Sequence, residues 1–192
     1  LSIYDVGSGA GPRLLGTLTL TNAAVSVHVE GDHAYVATAQ AGLAVIDVSN
    51  PNQPVLVGAW DTPGMAMHVG VGGGHAFVAD YHGGVQVIDV RDPVHPAQVS
   101  SYNTGLTTRA VRVSGGRAYV VSADKDPLFG SEARSRVEIV DVNNPTQPVL
   151  LGAYEMSQLM QSGDVTGDLA YLGWTLNGAA GLEIVDVSNP AA

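Results

Sequence analysis

Apolar residues in this chain come in runs of four to six, many alternating with polar ones, and Gly, Asn or Pro closes each run. A period of two over such lengths predicts β-strands, and no stretch offers a twelve-residue amphipathic helical pattern; "EARSRVEIV" is the nearest and merges directly into a strand. The runs also repeat. "LSIYDV" (1–6) returns as "LAVIDV" (43–48), "VQVIDV" (85–90), "VEIVDV" (137–142) and "LEIVDV" (182–187). Its aspartate therefore stands at Asp5, Asp47, Asp89, Asp141 and Asp186, at spacings of 42, 42, 52 and 45 residues. A second run carries Ala34, Ala76, Ala118 and Ala170, each 29 residues after the preceding aspartate. A period near 42 with four short strands per unit predicts the blades of a β-propeller, an all-β fold in which neighbouring sheets bury one another's faces about an axis.

In the unit that contains Ala66, "MHVGV" is expected as the inner strand A and Gly72–Gly74 as the A–B turn. "HAFVAD" follows as strand B, "GVQVIDV" as strand C and "AQVSSY" as the outer strand D. The C–D connection is the most sharply specified. Prolines stand four residues after the aspartate (Pro51, Pro93, Pro145, Pro190) and seven after it (Pro12, Pro54, Pro96, Pro148). Proline fixes φ and donates nothing to a ladder, so the pair ends strand C and sets the entry to D. The resulting division is a partial blade over 1–20, whole blades over 21–62, 63–104 and 105–156, and a partial blade over 157–192. Seventeen strands result. Strand C occurs at both ends, one too many for a four-blade ring, which favours a part of a larger propeller over a small ring with a displaced terminal strand.

Composition narrows the function classes. The 192 residues hold no cysteine, hence no disulfide framework, and 18 acidic against 8 basic residues give a net charge of −10. Lys125 is the single lysine, which argues against a nucleic-acid partner, because phosphate binding draws on clustered Lys and Arg. Apolar runs such as "PVLLGAY" fall far short of the ~20 residues that span a bilayer. The first residue, Leu1, already lies inside a repeat, so a signal peptide would lie upstream.

Thr62, Pro63 and Gly64, followed by "HAFVADYHGGVQVIDV", resemble the LVIVD-repeat family of β-propellers, and the likeness runs along nearly the whole chain. It implies the propeller fold and an extracellular or cell-surface location, because such repeats occur in many secreted and surface-attached proteins. Repeat one departs with "DVGSGAGP", and the last blade has Gly163 in place of the inner-strand valine.

For chemistry, a residue present once per blade is a poor catalytic candidate. Asp5, Asp47, Asp89, Asp141 and Asp186 are expected to be structural, accepting backbone N–H groups of the following turn. The six histidines show no ligand spacing, "GVGGGH" joins two strands and reads as a tight turn, and no nucleophile signature is present. Asp124 and Asp126 open an oxygen-rich segment that lacks EF-hand geometry and leaves only a weak metal candidate. No cofactor is expected. Length variation is confined to the interval between strands B and C, so the B–C loops, which open on the same face as the D–A loops, are the expected binding surface. The candidate contacts there are Asp80, Tyr81, His82, Lys125, Phe129, Glu132, Arg134, Trp174 and Asn177. The reading is a non-enzymatic scaffold that presents this face to a protein or glycan partner, with further blades of the same chain or another copy closing the ring. The alternative is a hydrolase or lyase using Asp80, His82 and Asp124 around a cation at the axial mouth.

Overall fold

A computed structural model of the chain describes residues 1–7, 9, 11–124, 134–176 and 179–190. Every regular element among the described residues is a β-strand, and no helix there is long and apolar enough to cross a membrane. Strands β1 (Ser2–Asp5) and β2 (Arg13–Thr17) form an isolated pair. Three four-stranded sheets follow: β3 (Ser26–Glu30), β4 (His33–Ala37), β5 (Leu43–Asp47) and β6 (Val55–Trp60); β7 (His68–Gly72), β8 (His75–Ala79), β9 (Val85–Asp89) and β10 (Ala97–Tyr102); β11 (Thr108–Ser114), β12 (Arg117–Asp124), β13 (Arg134–Asp141) and β14 (Val149–Met156). The last sheet is β15 (Leu159–Thr166), β16 (Leu169–Leu176) and β17 (Ala179–Asp186). Within each sheet every strand pairs antiparallel with the next in sequence.

Four of the five sheets own an inner strand, and β3, β7, β11 and β15 pack on one another in chain order. The result is a β-propeller of four blades, with β1–β2 as an additional outer pair against the first of them. Its core is distributed between sheets. Leu43 and Val45 of one blade meet Val69, Val71 and Val78 of the next; Val85 and Val87 meet Val111, Ala118 and Val120; Val137 and Ile139 meet Met160, Ala170 and Leu172. Leu1, Leu18 and Leu20 cover Val36 and Ile46 on the side of β1–β2.

Local chemistry explains the regularity. The A–B hairpin of the second whole blade turns on Gly73 and Gly74, both at positive φ (61° and 74°), the pairing that a type I′ turn requires. Strand D carries a register shift against strand C in each of the four C–D pairs, which increases its twist as it leaves the sheet. Two positions on strand D then join adjacent blades. At Gly16 and Gly58 a Cβ would fall inside 3.0 Å of the backbone carbonyls of Pro51 and Pro93, on the C–D loop of the following blade. Gly152 meets Pro190 in the same way. Ser100 occupies the equivalent place in the remaining joint, and its Oγ donates to the Pro145 carbonyl at 2.6 Å. Two residues on, the Tyr102 hydroxyl donates to Glu138 across the seam at 3.1 Å, and Tyr154 does so to Glu183 at 2.5 Å. The repeated prolines thus shape a loop that the preceding blade grips.

Candidate functional site

All five repeated aspartates adopt one arrangement. A carboxylate oxygen accepts the N–H two residues on, from Gly7, Ser49, Arg91, Asn143 and Ser188, at 2.8–3.0 Å. These are Asx turns at the exit of strand C, largely solvent-facing. The hydrogen bonds from Ser49 hold the Asp47 carboxyl below the usual range, and the Arg91 guanidinium, which also forks onto Asp89, does the same there.

Asp80 is built differently. It ends strand B at a place where the neighbouring blades have Thr38 and Ser122, and it is fully buried. Its Oδ1 accepts the Thr62 hydroxyl at 2.6 Å and its Oδ2 the Gly64 N–H at 2.8 Å. Gly83 N–H donates to the Asp80 carbonyl at 2.8 Å, closing the turn. Burial pushes the carboxyl pKa up against these two hydrogen bonds. The side chain therefore fastens the D–A loop to the B–C turn, with both oxygens engaged, and is turned away from the rim.

Its neighbours face outward. Tyr81 has a left-handed backbone (φ 53°), and its carbonyl accepts the Thr108 N–H of the next blade at 2.9 Å. Ala39 holds the same conformation (φ 48°) in the preceding blade and accepts Ala66 N–H at 2.9 Å, so the conformation belongs to the interblade bridge and recurs with it. The Tyr81 ring meets His82 edge-on, 4.3 Å between centroids, and His82 Nδ1 lies 3.5 Å from the Thr107 hydroxyl. Tyr81 is half-buried and His82 exposed. Of the other expected rim residues, Trp174 is half-buried, pairs with Gly181, and packs its indole where a Cβ on that glycine would stand, so it caps the last sheet. Lys125, Asp126, Phe129, Glu132 and Asn177 lie outside the described residues; Asp124 and Arg134 pair with each other as the last rung between β12 and β13. Among the described residues no group of three His, Cys, Asp or Glu side chains could hold a metal ion.

A second polar set escaped sequence reasoning. His28, Gly70, Arg112 and Asp164 share one register on the four inner strands, opposite Tyr35, Phe77, Tyr119 and Tyr171. A Cβ on Gly70 would meet the Val111 carbonyl of β11, so this register faces the next blade. The Arg112 Nε donates to Asp164 at 2.8 Å across the seam. His68, one rung away, leaves its Nδ1 buried without a hydrogen bond; burial, reinforced by Arg112, lowers its pKa to about 4. These positions sit 23 residues after each aspartate, where polar residues or glycine interrupt the valines of strand A.

The sequence profile of the LVIVD repeat matches residues 22–62, 63–104, 135–156 and 161–192. The chain belongs to the LVIVD-repeat family. No curated protein matches it. Solved structures similar to this LVIVD-repeat protein include the computationally designed Ika4 protein, at 12% identity and TM-score 0.66, with 91% of this chain and 99% of that one covered. The computationally designed Ika8 protein is similar at 12% identity and TM-score 0.67, with 96% of this chain and 52% of that one covered. The Myceliophteria thermophila Cps50 (Swd1) β-propeller domain is similar at 12% identity and TM-score 0.61, with 90% of this chain and 54% of that one covered. The LVIVD-repeat chain thus spans about half the length of the last two. At such identities the likeness is one of fold.

Proposed function

We propose that this LVIVD-repeat propeller is a non-enzymatic, extracytoplasmic interaction scaffold that presents its B–C loop face to a protein or glycan partner. The observation that carries the reading is the Tyr81–His82 pair. An aromatic ring and an imidazole stand on a turn fixed by the buried Asp80 beneath it and by the Thr108 bridge beside it. Such a pair offers apolar area and hydrogen-bonding capacity with little freedom left to lose on binding. An acidic, lysine-poor composition and the surface-attached habit of similar repeats support the location. Lys125, Phe129, Glu132 and Arg134 belong to the sequence from the end of β12 to the start of β13, the B–C connection of the next blade, as Tyr81 and His82 belong to that between β8 and β9.

The test is a binding screen against surface proteins and glycans, followed by calorimetry with Tyr81→Ala/His82→Ala and with residues 125–134 replaced by a short Gly-Ser turn. Both variants are expected to melt with the parent and to weaken the principal interaction. Unchanged affinity in both would remove the B–C face from recognition. Collapse of the trimmed protein would make the insertion part of the core.

A further inference from the structure

The face opposite the B–C loops is built from the A–B turns and the C–D loops, and between the second and third whole blades it holds a groove of about 590 Å³. That volume falls in the ~300–1,000 Å³ range of small-ligand sites. Each A–B turn there is a glycine pair, Gly73–Gly74 and Gly115–Gly116, all at positive φ. The first and last blades have Gly31–Asp32 and Gly167–Asp168 instead. The difference is matched at the exit of strand C. Two residues after the repeated aspartate, the blades with an aspartate in the turn have Ser49 and Ser188, and those with a second glycine have Arg91 and Asn143. Contact explains the match: a Cβ on Gly74 would fall inside 3.0 Å of the Arg91 Cγ, and one on Gly116 inside 3.0 Å of the Asn143 Oδ1. Each bare glycine lets a longer polar side chain lie across its turn, and both side chains border the groove.

The polar groups around it are each anchored and each left with one free atom. His75 is 9% exposed, and its Nδ1 lies 2.9 Å from the Gly73 carbonyl. A carbonyl only accepts, so Nδ1 carries the proton, and Nε2 of the neutral ring is an acceptor with no hydrogen-bond partner among the described residues. Arg91 forks onto Asp89 through Nε and Nη2, which leaves Nη1 to donate. Asn143 donates one amide N–H to Asp141 at 2.8 Å and keeps its Oδ1. Beneath them the groove is apolar, on Phe77 and Val142. Phe77 stands where the other blades have Tyr35, Tyr119 and Tyr171, so the aromatic of this seam has no hydroxyl. Donors and acceptors thus sit above an apolar base, with the guanidinium neutralised by Asp89 and the Asp141 carboxylate behind Asn143. An inorganic anion finds no unpaired positive charge in such a groove, and among the described residues no three side chains could hold a metal ion. Neutral sugars match it, because each hydroxyl both donates and accepts and the ring has an apolar face. We propose that this groove is a second binding site, independent of the B–C face, for an uncharged mono- or disaccharide held by His75 Nε2, Arg91 Nη1 and Asn143 Oδ1.

NMR spectra of the backbone amides and imidazoles test this with methyl glucoside, methyl galactoside, methyl mannoside, N-acetylglucosamine, maltose and lactose as probes. Each is taken to ~10 mM, at which a ligand with a Kd of ~1 mM fills about nine sites in ten. The expected result is a saturable shift with at least one sugar, centred on the turns at 73–74 and 115–116 and on the His75 ring. His75→Leu, Arg91→Ser and Asn143→Ser introduce the residues that Leu169, Ser49 and Ser188 place at the same repeat positions, so the fold is expected to persist. Each substitution is expected to weaken the binding at least tenfold. Tyr81→Ala/His82→Ala, on the opposite face, is expected to leave it unchanged, which separates failure of this site from failure of the B–C face. The proposal is overturned by the absence of a saturable shift at these residues with all six sugars, or by a shift that survives all three substitutions. A shift lost with Tyr81 and His82 overturns it as well, and tighter binding of sodium sulfate at the same residues overturns the neutral-sugar assignment.

Discussion

Gly58→Ala tests whether the blades are truly held at backbone distance. A Cβ at this position would stand inside 3.0 Å of the Pro93 carbonyl and 3.0 Å from Pro96 Cδ, so the C–D loop of the next blade has to retreat by on the order of 1 Å to reach ordinary contact. That loop is stiffened by its two prolines, and the retreat also loosens Val57 and Trp60 on the core between the two blades. Overpacking of this kind costs about 1–3 kcal/mol. Against it stands a gain of ~0.4–1 kcal/mol, because alanine restricts the unfolded chain more than glycine does. The balance is a loss of about 1–2 kcal/mol, or roughly 2–8 °C in melting temperature for a domain of this size. Calorimetry measures it, with Ser100→Ala as the comparison. There the joint already accommodates a Cβ, and only the 2.6 Å bond to Pro145 disappears, for about 0.5–1.5 kcal/mol. A Gly58→Ala protein that melts at or above the parent would show the unfolded-state gain unopposed and refute the close approach.

Three further outcomes follow from buried polar groups. Asp80→Ala strips the Thr62 hydroxyl and Gly64 N–H of their acceptor and is expected to cost about 1–3 kcal/mol in denaturant titration, whereas an unchanged midpoint would deny Asp80 its fastening role. His68 binds its proton more weakly folded, at about 4, than unfolded, so the unfolded state holds more protons between that value and 6.5. Stability should decline as pH falls through this window, and His68→Gln should flatten the decline; an equal slope in both proteins would place His68 in water. Tyr102, whose pKa burial and Glu138 push up to about 12, loses its proton more readily unfolded, so stability should fall as pH rises from 10 toward 12. Tyr102→Phe should lessen that alkaline loss, and a melting series that shows the same loss in both would remove the residue from it.

The strands were readable because their period survives in single residues. The strand C motif recurs over 43–48, 85–90, 137–142 and 182–187, and the strand itself runs over Leu43–Asp47, Val85–Asp89, Arg134–Asp141 and Ala179–Asp186. The two longer examples begin earlier because the B–C ladder runs outward to the Asp124–Arg134 and Leu176–Ala179 rungs, an extension that no repeat position encodes. The fate of Asp80 was hidden for another reason. Its counterparts are Thr38 and Ser122, and its partners Thr62 and Gly64 lie 18 and 16 residues back, in the preceding loop. Nothing local distinguishes a carboxylate aimed at a rim from one aimed beneath it. The Arg112–Asp164 pair is 52 residues apart and becomes visible only when inner strands are compared at equal distance from their aspartates.

The grip of strand D on the following loop has a consequence for the length of such proteins. Every joint is made from a glycine or serine eleven residues after one aspartate and a proline four residues after the next, so neither partner needs to know which blade it belongs to. Loss or duplication of 42 residues in register would delete or add one joint and leave the others chemically identical. Repeat number in this architecture can therefore drift by unequal exchange without a new interface being invented, and what limits it is the angle at which the circle meets itself.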